Sequence, residues 1–172
     1  MVVSATSPKF AAMAIRKIAE LGWKPLHIIT NVSTSVATVM TPAGLENGIG
    51  TISSAYIKDP NDPAWANDLG VLDWRAFMTK YYPAGDQNDI NNMIGYCFAY
   101  SLVAVLKGCG GDFSRENIMK QASNLRAVVV PGLLPGITLN TTPTDFKPIQ
   151  QLQMSKFDGK GWRRFGDIIK SS

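Results

Sequence analysis

VVSATSPKFAAMAIRKIAELGWKPLHIITN, residues 2–31, reads as strand, short polar loop, helix and second strand, which makes one βαβ unit. Residues 2–5 are the first strand. Pro8 falls in the first turn of the helix, where its missing N–H leaves nothing unbonded, and Ser7 is placed to cap it. Phe10, Met13, Ala14, Ile18 and Leu21 recur at three- and four-residue spacing, and so predict the face that lies on a sheet. Gly22 ends the helix. Residues 26–30 are apolar apart from His27, as in a parallel strand covered on both faces. Parallel sheets collect ligands at the carboxyl ends of their strands, here the polar loops 4–7 and 31–35.

Outward from this unit, Val36, Val39 and Met40 mark a short helix that Pro42 interrupts, and residues 49–57 form a third strand rich in β-branched and aromatic residues. The stretch KDPNDPAWANDLG has two Asp-Pro steps and no periodicity, so it predicts a long turn or a crossing between lobes. A helix at 69–81 turns Leu72, Phe77, Met78 and Tyr81 inward and stops before Pro83. The longest helix, 88–106, is apolar on most faces after Met93, which predicts packing between layers. Glycines 108, 110 and 111 end it, and Ser114 caps a further helix at 115–125. The last third turns to short strands: an antiparallel ribbon at 127–130 and 137–140, then 149–157 and 162–169 joined through Asp158-Gly159 as a hairpin.

With 45% hydrophobic and 17% charged residues among 172, the chain can bury a real core. Its net charge of +4 is spread thinly, with no basic run longer than Arg163-Arg164, so nucleic acid is not an expected partner. Nucleophilic catalysis needs a base beside the nucleophile. The chain has one histidine, and it lies mid-strand in an apolar run. One histidine and two separated cysteines cannot assemble a zinc site, so neither metal nor cofactor is expected. Cys97 and Cys109 stand near opposite ends of one helix, too far apart to bridge within it. Carboxylates sit mostly in turn dipeptides, and Gly108 to Gly111 follow a helix where a phosphate loop would precede one. No apolar run is long enough to span a bilayer, and no basic segment followed by an apolar core opens the chain, so no signal peptide is expected in it. The chemistry that remains is binding. Small polar loops at strand ends, with a helix amino terminus after Ser7, suit a carboxylate.

The run SPKFAAMAIRKIAELGWKPLHIITNVSTSVATVMTPAGLENGIGTISSAYIKDP resembles the second-lobe segment of periplasmic solute-binding proteins of the branched-chain amino acid type, from ABC transporters. The resemblance continues through WRAFMTKYYP, NNMIGYCFAYSLVAVLKGCG, SRENIMKQASNL, LLPGITLNTTPTDFKPIQQLQMSKFDGKGW and RFGDII. It implies an α/β fold of the type I periplasmic binding protein kind, a parallel sheet flanked by helices with terminal antiparallel strands. Here the fold is incomplete, because family members are about twice as long. Residues 1–57 and 150–172 would belong to the second lobe, and 58–149 to a crossing segment plus part of the first lobe. The parent would be a periplasmic, non-catalytic component that closes on a small solute and delivers it to a membrane permease. A ligand-sensing receptor domain of the same fold is the alternative.

By position, the family's ligand contacts fall on Thr6 and Ser7, on Asn31 with Ser33, and on Asn91 at the start of the long helix. Amino acid-binding members grip the α-amino group with an aromatic residue and then an acid, where this chain has Thr6 and Asn31. The missing acid removes the partner of an ammonium. An aromatic or aliphatic carboxylic acid is therefore as well suited as an amino acid. Apolar surface left uncovered by an incomplete fold also predicts a homodimer or strand exchange.

Overall fold

The computed structural model describes residues 1–171. The short segments β1 (Val2–Ser4), β2 (His27–Ile29) and β3 (Ile52–Ala55) pair in parallel. The hairpin β4 (Gln151–Phe157) and β5 (Trp162–Lys170) extends the same sheet antiparallel from β3. The spatial order follows the chain, β1-β2-β3-β4-β5. This is the mixed sheet expected, parallel first and antiparallel at the end. A register shift between Leu152 and Met154 opposes Gly166, whose φ of +67° is strained for any residue with a Cβ.

Helix α1 (Pro8–Glu20) crosses from β1 to β2, but it lies on the sheet by a different face from the one its larger residues predict. Ala11, Ala12 and Ile15 are buried, while Phe10, Met13 and Leu21 are exposed. The two alanines and Ile15 pack against Val39, Met40 and Ala43 of the segment that follows β2 and against Phe157, and the neighbouring stripe of bulkier residues is left facing outward. Between β2 and β3 the chain runs through a 3₁₀ turn (Asn31–Ser33), a π turn (Val36–Met40), α2 (Thr41–Ala43) and another 3₁₀ turn (Leu45–Gly48). Pro42 does not interrupt this path. It occupies the first turn of α2, where no N–H is required.

Helices α3 (Leu69–Tyr81), α4 (Ile90–Gly108) and α5 (Arg115–Ala122) begin at Asp68, Asp89 and Ser114, whose side chains accept from the N–H groups of Val71, Asn91 and Asn117. α3 buries Val71, Trp74 and Met78; Leu72, Phe77 and Tyr81, expected inward, are exposed. α4 does not pack between layers. Met93, Cys97 and Val105 are covered, while Phe98, Tyr100, Leu102 and Val103 are exposed. The ribbon expected at 127–130 and 137–140 reduces to one bridge, Val128 with Leu139, because Ala127, at a φ of +47°, leaves the extended range and gives its N–H to the Asn140 side chain.

Two hydrophobic cores result. One joins α1, the 36–43 segment and Phe157 of β4. The other joins Ile57, α3, α4 and the 130–139 segment, where a Cβ on Gly132 would lie 2.4 Å from Cys97 Sγ. Cys97 and Cys109 are both free and buried, and burial pushes the Cys97 thiol up to about 11. Among the described residues, no helix is long and apolar enough to cross a membrane, and no cluster of three metal-ligating side chains occurs.

Candidate ligand-binding site

Because β1, β2 and β3 are parallel, their carboxyl ends open on one side, and the chain leaves them at Thr6 and Ser7, at Asn31 and at Tyr56. The loops are fastened to one another. Ser33, wholly buried, donates from Oγ to the Thr6 carbonyl at 2.7 Å, and Thr34 Oγ1 donates to the Asn31 carbonyl at 2.8 Å. Trp162 of β5 donates from Nε1 to the Thr34 carbonyl at 2.7 Å. Ser33 therefore holds the two loops together, while Asn31, half-buried, keeps its side-chain amide without a partner among the described residues.

Two more groups here are unsatisfied. Thr6 Oγ1 and Thr30 Oγ1 are buried with no hydrogen-bond partner, although buried hydroxyls are normally bonded to protein, water or ligand. Ser7 stands at the helix-cap position, yet its hydroxyl makes no cap bond; only its carbonyl accepts, from the N–H groups of Phe10 and Ala11. That hydroxyl is exposed and free to meet a solute.

The opposite wall is the first turn of α4. Ile90 and Ile94 line a small cavity of about 40 Å³ together with Asn31, Thr34 and Tyr56. Asn91 lies on the same turn but is exposed, with its N–H and side-chain amide both bonded to Asp89 Oδ1 at 3.0 and 2.9 Å. A wider cavity of about 660 Å³ shares Asn31 and Tyr56 and adds Lys147, Gln150 and Lys170. Among the described residues, neither lining contains a carboxylate. Lys58, by contrast, is committed elsewhere: its Nζ donates at 2.8 Å to both Asp68 carboxylate oxygens and to the Pro131 carbonyl. Burial raises the Asp68 pKa, but the hydrogen bonds from Lys58 and the Val71 N–H outweigh it and leave the group below its ordinary value.

Tyr56 is the residue that sequence reading passes over. It lines both cavities, and burial, with Cys97 nearby, pushes its phenol above the ordinary value. Its only signal in the sequence is an aromatic side chain at a strand end, two residues before Lys58-Asp59-Pro60. His27 lies at the other end of β2, buried and bonded to Ser4, and takes no part in this cleft.

The fold has close counterparts among solved structures. A branched-chain amino acid ABC transporter protein from Thermus thermophilus, with bound valine, superposes with a TM-score of 0.81 at 15% identity over 99% of this chain and 46% of that one. A leucine-binding protein from Thermotoga maritima gives 0.69 at 16% identity, over 98% and 44%. A possible leucine/isoleucine/valine-binding protein from Rhodopirellula baltica gives 0.76 at 16% identity, over 96% and 42%. The chain thus spans less than half the length of each of these proteins. No curated protein sequence matches it. The family model described as periplasmic binding protein matches residues 1–161, nearly the whole chain, and so this chain belongs to the periplasmic binding protein family.

Proposed function

We propose that this chain is the C-terminal portion of the substrate-binding component of a periplasmic ABC transporter, and that it holds a small carboxylated solute without transforming it. The solute lies between the strand-end loops and the first turn of α4. Thr6, Ser7 and Asn31 supply hydrogen bonds, Tyr56 contributes the wall, Ser33 fixes the loops, and Asn91 stands on the far side. Residues 1–57 and 150–172 act as one lobe, and 58–149 as the crossing and part of the other; one hydrophobic core falls wholly within the first set and the other within 58–149 apart from Ile57, which supports a division close to that residue. The observation that carries the reading is the Asn31 amide, without a partner among the described residues, in the wall of a cavity that holds two lysines and, among the described residues, no acid; the unsatisfied Thr6 Oγ1 and Thr30 Oγ1 lie in the adjoining strand-end loops. Such a lining can neutralise a carboxylate and offers no anion to an ammonium.

Calorimetric titration with leucine and with 4-methylpentanoate, the same skeleton without the amine, tests this directly. The amine-free acid should bind at least as tightly, and Asn31→Ala should weaken it by about tenfold, the loss expected for a hydrogen bond to a charged group. A tenfold preference for leucine would overturn the amine-free reading. Absence of heat with both acids would overturn the carboxylate site itself.

A further inference from the structure

Ser4, His27 and Thr51 form a polar row across the three parallel strands, and the latter two open toward the end of the sheet opposite the candidate cleft. The register Val2 with His27 and Ile28 with Ile52 sets His27 and Thr51 side by side on the face that also carries Ile29. The buried Ser53 on the same face satisfies its hydroxyl by donating to the Ile29 carbonyl at 2.9 Å. A polar side chain there costs free energy unless it is bonded.

Both are only partly bonded. His27 is 6% exposed; its Nε2 lies 2.8 Å from Ser4 Oγ, and its Nδ1 has no partner among the described residues. Thr51 is 4% exposed; its N–H donates to the Gly48 carbonyl and its carbonyl accepts from the Phe157 N–H, but its hydroxyl has no partner among the described residues. The two side chains line one cavity of about 390 Å³, with Trp23 and Ile49 in its apolar walls and Lys24 and Glu46 at its rim. At ~30 Å³ per water that space holds about a dozen waters, or one small molecule.

The chemistry of the lining selects the occupant. Burial lowers the His27 pKa and favours the neutral ring. The floor therefore presents an uncharged imidazole nitrogen and a hydroxyl, which suit a group that can both donate and accept. The indole of Trp23 and the side chain of Ile49 suit a flat apolar ring, and the opposite charges at the rim cancel. We propose that this pocket is a second small-molecule site, distinct from the cleft, for an uncharged amphipathic alcohol whose hydroxyl meets His27 and Thr51.

The chain has one histidine, so its imidazole signals in a proton NMR spectrum belong to His27 alone. Titration with benzyl alcohol should move those signals saturably, and benzoate or benzylamine should bind at least tenfold more weakly. Thr51→Val should weaken benzyl alcohol about tenfold. Trp23→Ala, at a half-exposed wall position, should do the same and keeps the test open if the first variant does not fold. Unmoved signals would mean a solvent-filled cavity and would overturn the site, as would equal affinity in the two variants or for the charged probes. Titration with 4-methylpentanoate should leave the His27 signals in place, which separates this site from the cleft.

Discussion

His27 and Ser33 are both buried polar residues of the β2 region, and their hydrogen bonds give them different work. Ser33 spends its hydroxyl on the Thr6 carbonyl and thereby sets the spacing of two loops. His27 faces a titration problem. Burial holds its pKa below the ordinary 6.5, so the folded ring stays neutral at a pH where the unfolded chain already takes up a proton. Stability from this residue is whole above 6.5 and declines as the pH falls from there toward the folded pKa. The urea midpoint should therefore drop between about pH 7.5 and about pH 5.5. His27→Gln should flatten that slope, and an unchanged slope in the variant would remove the assignment. At this scale the sequence was informative on position alone: it put Thr6, Ser7 and Asn31 in the loops that follow β1 and β2, where they stand. It was silent on Tyr56, whose importance comes from cavity walls supplied by residues 90 to 170.

Among the elements, α1 shows why helix existence was legible and helix orientation was not. Its apolar residues form two stripes about 130° apart, one of mostly large side chains and one with Ala11, Ala12 and Ile15. Hydrophobicity favours the first stripe; close packing against Val39, Met40, Ala43 and Phe157 favours the second, and packing decided. The same competition misplaced the inward face of α3, where Trp74 took the core position that Phe77 and Tyr81 were expected to share. The position of α3 is fixed more tightly still by Gly70 in its first turn. A Cβ there would lie 2.5 Å from the Pro131 carbonyl oxygen and 2.8 Å from Pro131 Cβ. Backbone cannot step aside as a flexible side chain does, so Gly70→Ala should push α3 from the 131 segment and cost about 1–3 kcal/mol. Thermal unfolding reads this as a lowered midpoint, and an unchanged midpoint would show that α3 is not held there.

For the molecule as a whole, a charged contact ties the terminal hairpin to the segment that follows β3. Arg164 of β5 reaches the crossing segment, pairing with Asp62 at 3.4 Å and lying 4.3 Å from the centre of the Trp65 ring. Arg164→Ala should remove about 1 kcal/mol of cation–π and ionic attraction. Amide exchange in residues 58–68 should then quicken about fivefold, with β1 and β2 unaffected; a uniform change would mean general destabilisation. The Asp-Pro steps predicted an aperiodic stretch, and residues 58–68 hold only turns and a short 3₁₀ turn (Pro63–Trp65), but nothing local in the sequence paired Arg164 with it, since the two are brought together only by the sheet. The fastenings around that crossing also locate an axle. From Tyr56 onward the chain is stitched to the 131–134 segment: the Tyr56 carbonyl accepts from Leu134, Ile57 bridges Leu133, the Lys58 N–H donates to Gly132 and the Lys58 ammonium to Pro131. Up to Ala55 it is stitched to β4. In the lobe closure that the proposed function implies, a swing at this strand of the chain would pass through the Ala55–Tyr56 link, and points on an axle travel least. Tyr56 would keep its station in every posture, a fixed gauge against which the far tips of both bodies open and shut.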